Sequence, residues 1–283
     1  MSNAEIEQII SESERALSEQ FKGLEQTAFF NQSKVMEAFQ KNKIALRHFA
    51  ATSGYGYGDE GRDTLNALFA DIFGAEAALV SPNILSGTHA LTIGLFGLLR
   101  SGDTLFSISG DPYDTLRDVI GGRDIGSLAD YGIAFKKCDL QGGKFDFDAI
   151  REGLADSTVK VVFIQRSRGY EWRDALSEKQ IREVCDFVRA CGFGGCIFVD
   201  NCYGEFVETT EPTQNGADVC AGSLIKNAGG GVAPTGGYIA GARRYIDKIA
   251  GRLTAPSIGA EVGSYAYGYQ YFYEGVFLAP HVV

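Results

Sequence analysis

Apolar positions in residues 4–46 recur at helical spacing, with Ile6, Ile9 and Ile10 followed by Leu17, Phe21 and Leu24 and many charges between them. The pattern predicts a helical N-terminal segment over residues 1–50 rather than a domain. The stretch Ser53-Gly54-Tyr55-Gly56-Tyr57-Gly58 interrupts it, and Leu65, Leu68, Phe69 and Ile72 resume it as far as Gly74. A glycine-tyrosine loop therefore hands over to a helix.

Beyond Gly74 the period changes. Short apolar runs alternate with helical stretches: Ala77–Val80 then 88–100, Thr104–Ile108, Ile133–Phe135 then 146–155, Val159–Ile164 then 177–191, and Ile197–Val199. Strands alternating with helices at this spacing predict an α/β fold, a mostly parallel sheet covered on both faces, with residues 51–260 as the large domain. The tyrosine-rich residues 261–283 show no helix stop and read as the start of a connection to a C-terminal domain. The glycine-rich stretches that follow strands read as ligand contacts.

Composition narrows the function classes. The 283 residues are 45% apolar, enough for an ordinary globular core, and 26 Lys and Arg against 36 Asp and Glu leave a net charge of -10. Nucleic acid would be bound against that field, so it is not an expected partner. Nor is a membrane, since no stretch approaches the roughly 20 apolar residues of a span. The N-terminus carries Glu5, Glu7, Glu12 and Glu14 where a signal would carry basic residues. The six cysteines lack redox or metal-ligand spacing and read as reduced thiols, with no metal site. A cytoplasmic location is expected.

Candidate chemistry gathers at strand ends. Cys196–Val199 delivers Asp200 to the carboxyl edge of the sheet, where open α/β folds bind ligands. An aspartate there can cap the next turn, or can keep a pyridinium nitrogen protonated so that the ring accepts electrons. One strand later, Ser223-Leu224-Ile225-Lys226 runs into Gly229-Gly230-Gly231. A lysine in so apolar a turn is poorly solvated, which favours the neutral amine that condenses with an aldehyde. Ser86-Gly87-Thr88 opens an apolar helix and offers backbone N–H groups, a hydroxyl and the positive helix end to a phosphate. Tyr113, after the Thr104–Ile108 strand, stands on the same edge, placed either to stack on an aromatic ring or to pack on its own loop.

The order Ser86-Gly87-Thr88, Tyr113-Asp114-Thr115, Asp200-Asn201 and Ser223-Leu-Ile-Lys226 resembles the cystathionine/methionine gamma-lyase family of Cys/Met metabolism. Within it, Gly54–Leu65, Gln165–Tyr170 and Gly229–Gly237 are similar to the aluminium-resistance or methionine gamma-lyase-like branch, and the likeness runs from about residue 44 to the last. The resemblance implies the pyridoxal 5'-phosphate fold of the aspartate aminotransferase type (fold type I). It implies that Lys226 forms the Schiff base, that Asp200 pairs with the pyridine nitrogen and that Tyr113 stacks on the ring. Gly87, Thr88 and Ser223 would hold the phosphate. Tyr57 and Arg62 would reach the phosphate of a neighbouring copy's cofactor in a homodimer or homotetramer, although this chain spaces them differently from the common motif. Two further departures stand out: Ile225 occupies the place of a phosphate-binding threonine, and Arg168-Gly169 the place of an asparagine that holds the cofactor hydroxyl. The family's substrate-carboxylate arginine lies in a C-terminal domain that these residues do not include.

The activity so implied is carbon–sulfur bond cleavage in a sulfur-containing amino acid. The same fold supports transferases and aldolases, and a cofactor-binding homologue without full activity is a further alternative. A dinucleotide-binding reading lacks the G-x-G-x-x-G turn after an early strand.

Overall fold

The computed structural model describes residues 1–283. Two helices, α1 (Asn3–Ala16) and α2 (Ser18–Lys41), precede a 3-10 turn at Leu46–Phe49. Then follow α3 (Glu60–Phe73), β1 (Ala77–Ser81), α4 (Gly87–Leu98), β2 (Thr104–Ser107), α5 (Asp114–Gly121), β3 (Ala134–Lys137), α6 (Phe147–Leu154), β4 (Val159–Gln165) and α7 (Glu178–Ala190). The remainder is β5 (Cys196–Asp200), β6 (Val219–Ser223), β7 (Gly237–Gly241), α8 (Arg243–Leu253) and α9 (Gln270–Val282).

All seven strands form one sheet in the order β1-β7-β6-β5-β4-β2-β3. β2, β3, β4, β5 and β6 run parallel to one another, and β7 runs antiparallel between β6 and β1. The expected mostly parallel sheet is present. The continuous apolar runs have a simple cause: both faces are covered, so successive residues are buried on opposite sides. Val162, Ile164, Ile197 and Val199 face a core shared with α2, α3, α7 and α9, whereas Val161, Phe163, Cys196 and Phe198 face a second core under α4, α5 and α8.

The N-terminal segment is helical as its periodicity predicts, and its two helices behave differently. α2 buries Asn31, Val35 and Ala38, while α1 buries nothing. The tyrosine-rich end forms α9, whose Phe272, Tyr273, Val276 and Ala279 sit in the first core, so these residues close over the sheet where the sequence showed no closing element. The glycine run 229–231 also differs from its reading as a ligand contact. A Cβ on Gly230 would lie 2.2 Å from the Gly275 carbonyl oxygen, and one on Gly229 1.6 Å from that of Leu224. Gly230 lets the Lys226 turn and α9 approach backbone to backbone, and Gly229 lets the turn fold back on Leu224.

Candidate active site

The parallel strands deliver their carboxyl ends to one edge, and the candidate residues meet there. Asp200 is the last residue of β5 and is 1% exposed. Its Oδ1 accepts from the Cys202 N–H at 3.0 Å, so it caps its own turn, the local alternative to a ligand role. Burial pushes its carboxyl up from the ordinary value against the Cys202 hydrogen bonds and the Lys226 charge, which pull it down. Such a carboxylate gains from a cation beside it.

Lys226 stands in the turn after β6, and its Nζ lies 4.2 Å from the centroid of the Tyr203 ring. The expectation of a lowered, neutral amine is corrected here. Burial does lower Lys226, but Cys202, Tyr203 and Asp200 outweigh it and hold the ammonium above its ordinary value. Burial remains the largest single influence on the amine, and Asp200 is one of the groups that oppose it; Cys202 is itself pushed well up by burial.

Ser86 caps α4 in an extended conformation, its hydroxyl accepting from the His89 N–H at 3.1 Å. The Gly87 and Thr88 N–H groups thus stand at the start of the helix, where no intrahelical acceptor exists. A Cβ on Gly87 would lie 2.8 Å from Cys202 Sγ, 3.6 Å from Ser223 Cβ and 3.8 Å from Lys226 Nζ. The candidate phosphate cradle, Ser223 and the lysine are therefore neighbours in space. Ser223 is fully buried, and its hydroxyl accepts from the Ile225 N–H at 3.3 Å. Thr88 Oγ1 lies 2.9 Å from the Tyr113 hydroxyl and 3.2 Å from Thr115 Oγ1. Tyr113 is fixed at its other end by its N–H, which donates to Gln165 Oε1 at 2.9 Å, and burial raises its phenol well above the ordinary value.

Tyr57 and Arg62 stand apart from this group. Tyr57 is 69% exposed. Arg62 is buried and committed locally: Nη1 donates to the Gly56 carbonyl at 2.9 Å, and Nε and Nη2 lie 2.9 Å from Asp63 Oδ1. Within one chain this is the local pairing of the loop arginine. The loop itself is tied down, since the Gly263 N–H donates to Tyr55 O at 2.8 Å and the Ser264 hydroxyl to Gly54 O at 2.9 Å.

The reading of the sequence missed Gln165, Cys202, Tyr203 and Glu205. Each lies within the two segments Gln165–Tyr170 and Asp200–Phe206, so nearness to a strand end was the available signal.

Asp200 at the end of β5, Lys226 after β6, a helix start between them and a sheet with β7 as its antiparallel strand define a class. The fold is that of the pyridoxal-phosphate-dependent enzymes of the aspartate aminotransferase type. More narrowly, the chain belongs to the family described as methionine gamma-lyase, which matches residues 6–283. The uncharacterised protein YnbB of Bacillus subtilis is 48% identical over 266 residues, 93% of this chain and 63% of that protein. The chain thus spans less than two thirds of the length of this curated relative. Among solved structures, a carbon-sulfur lyase involved in aluminium resistance from Clostridium novyi NT is 47% identical with a TM-score of 0.94, covering 99% of this chain and 67% of that one. A methionine gamma lyase from Micromonospora echinospora, CalE6, is 21% identical with a TM-score of 0.62, over 84% of this chain and 60% of that one, a likeness of fold. No helix is long and apolar enough to cross a membrane.

Proposed function

We propose that this chain carries the cofactor site of a cytoplasmic pyridoxal 5'-phosphate-dependent carbon–sulfur lyase acting on a sulfur-containing amino acid. The observation that carries the reading is the convergence at one sheet edge of buried Asp200, the Lys226 amine and the Gly87 backbone, with Lys226 Nζ 3.8 Å from where a Gly87 side chain would begin. The residues fit the group chemically. A fully buried carboxylate suits a pyridinium nitrogen, a helix start with a hydroxyl suits a phosphate, and a half-buried lysine between them suits an aldehyde.

Bound pyridoxal phosphate supplies an aldehyde that condenses with amines and a ring that takes up the electrons left when the substrate α-carbon loses its proton. Lys226 Nζ would be its attachment point and the base that carries the α-proton, and Asp200 would keep a proton on the ring nitrogen. Tyr113, anchored by Gln165 and Thr88, covers the ring face, and Gly87, Thr88 and Ser223 hold the phosphate. A second copy would supply Tyr57 and Arg62 to that phosphate in a homodimer or homotetramer, Arg62 turning its fork of donors from Asp63 to the phosphate oxygens. The leaving group departs as a thiol.

The test is a panel of sulfur amino acids offered to the chain with pyridoxal phosphate, scoring thiol and 2-oxo acid together. Release of both from at least one member, lost in Lys226→Ala, is expected. A cofactor-loaded protein that exchanges substrate amino groups without releasing thiol contradicts the lyase assignment.

A further inference from the structure

The turn Asn201–Phe206, between β5 and the Pro212–Asn215 3-10 turn, carries a carboxylic acid for which the site chemistry has no use. Glu205 is fully buried. Its Oε1 accepts from the Tyr238 hydroxyl of β7 at 2.9 Å, and its Oε2 has no partner. The space it fills is made by Gly222 of β6, where a Cβ would lie 2.4 Å from Glu205 Oε1. Two residues beside it, Tyr203 and Phe206, hold left-handed backbone at φ 68° and 63°, a conformation that bulky side chains adopt only when their surroundings impose it.

The contacts of this turn reach both halves of the cofactor site. Asn201, next to Asp200, donates through Nδ2 to Tyr238 OH at 3.3 Å and to Glu211 Oε2 at 2.9 Å. Asn227, next to Lys226, donates through Nδ2 to the Glu205 carbonyl oxygen at 3.1 Å. Tyr203 lies under Lys226 Nζ. Resting on the reading of Lys226 and Asp200 as the cofactor residues, we propose that Glu205 is a positioning residue: its buried carboxyl ties the turn after β5 to Tyr238 of β7, which holds its main-chain carbonyl against Asn227 in the turn after β6 and so fixes the spacing of Asp200 and Lys226.

The charge requirement follows from what faces Glu205. Asp200 of β5, Glu211 from the 3-10 turn, the Tyr238 phenol of β7, the Cys220 thiol of β6 and the Cys202 thiol of its own turn surround it. The Arg166 guanidinium spends itself on Asn201 Oδ1, Gly204 O, Glu178 and Glu208, and the Lys34 ammonium lies 4.0 Å from Glu211 Oε1, so neither pairs with Glu205. Burial first, with Glu211 and Asp200 adding to it, pushes the Glu205 carboxyl up to about 8. Above that pH an unpaired buried charge appears beside two others, and the turn must open to hydrate it.

The test is the affinity of the 283-residue chain for pyridoxal phosphate as a function of pH, read by the visible absorbance of the bound cofactor. In the wild type, affinity should fall as pH rises through about 8. Glu205→Gln, which keeps the shape and the Tyr238 contact without the charge, should match the wild type at pH 7 and lose this fall. Glu205→Ala should weaken binding at pH 7 by about 10- to 100-fold, the size expected when a partner that orients a binding residue is removed. Tyr238→Phe, which removes only the hydroxyl, should weaken it less and keeps the question open to measurement should the alanine variant fail to fold. Glu205→Gln with the wild-type pH profile, or Glu205→Ala and Tyr238→Phe both binding as the wild type does, overturns the proposal. A wild type that binds no pyridoxal phosphate through Lys226 overturns the earlier reading instead.

Discussion

The turn that bears Lys226 and the loop that bears Arg62 both place a cation in a glycine-rich segment, yet they sit in opposite environments. The groups around the Lys226 amine are distant in sequence: Asp200 and Tyr203 come from β5 and the turn after it, Gly87 from the start of α4, and α9 packs behind the glycine run. Arg62 is held by Gly56 and Asp63, neighbours in sequence, and Tyr57 beside it faces solvent. One half of the candidate site is assembled by the fold of a single chain. The other satisfies itself locally, through bonds of the buried Arg62 to the Gly56 carbonyl and the half-exposed Asp63.

The comparison can be broken at several points. The largest expected effect belongs to Asp200→Asn: the cofactor still binds, but exchange of the substrate α-proton with solvent, followed by NMR, slows about 100-fold or more because an amide no longer holds the ring proton. Full-rate exchange would remove Asp200 from the chemistry. Gly229→Ala comes next. Its Cβ would meet the Leu224 carbonyl at 1.6 Å, so denaturant unfolding should show a loss of about 3 kcal/mol or more. A neutral result would mean that the Lys226 turn is not folded tightly back on Leu224.

Stability should also carry a pH signature. The Glu205 carboxyl stands at about 8 in the folded chain against an ordinary value of 4.5, so between those pH values the unfolded chain has released a proton that the native chain keeps. The native state binds more protons there, so its stability falls as pH rises across the window and levels off above it. Thermal melts should show Glu205→Gln gaining on the wild type by several degrees from pH 5 to pH 8. Parallel melting curves would contradict a buried neutral Glu205.

Tyr113→Ala should weaken cofactor retention about tenfold in equilibrium dialysis while leaving the α-proton exchange of loaded protein nearly intact, since the ring covers but does not titrate. The smallest effect is expected for Arg62→Ala in a monomer, where only the local pairing is lost. In the assembled protein it should lower cofactor affinity, with a stability loss of about 1–3 kcal/mol from the Gly56 carbonyl left without its donor. Affinity and sedimentation both unchanged would leave Arg62 as a local ion pair.

How far the sequence could be read follows the same division. β1, β2, β4 and β5 were legible because a covered parallel sheet needs unbroken apolar runs, and Asp200, Lys226 and Ser86-Gly87-Thr88 were legible because strand ends fix where they point. β7, Gly237-Tyr-Ile-Ala-Gly241, escaped because glycines at both ends resemble the glycine run just before it. Its small residues are required by its place between β1 and β6. The direction of the Lys226 shift was not legible, since an apolar turn says nothing of Cys202, Tyr203 and Asp200, which another strand and its turn bring to it. Glu205 was invisible for a related reason: Tyr-Gly-Glu reads as a polar turn, and only the meeting of that turn with Tyr238 and Gly222 buries the acid.

The central claim is that Lys226 is the cofactor lysine, and borohydride reduction followed by peptide mass mapping addresses it most directly. Chain loaded with pyridoxal phosphate, reduced and digested should yield one pyridoxyl adduct, on the peptide containing Lys226, and Lys226→Ala should yield none. An adduct fixed on another lysine, or stable cofactor binding that leaves the Lys226 peptide unmodified, would contradict the account.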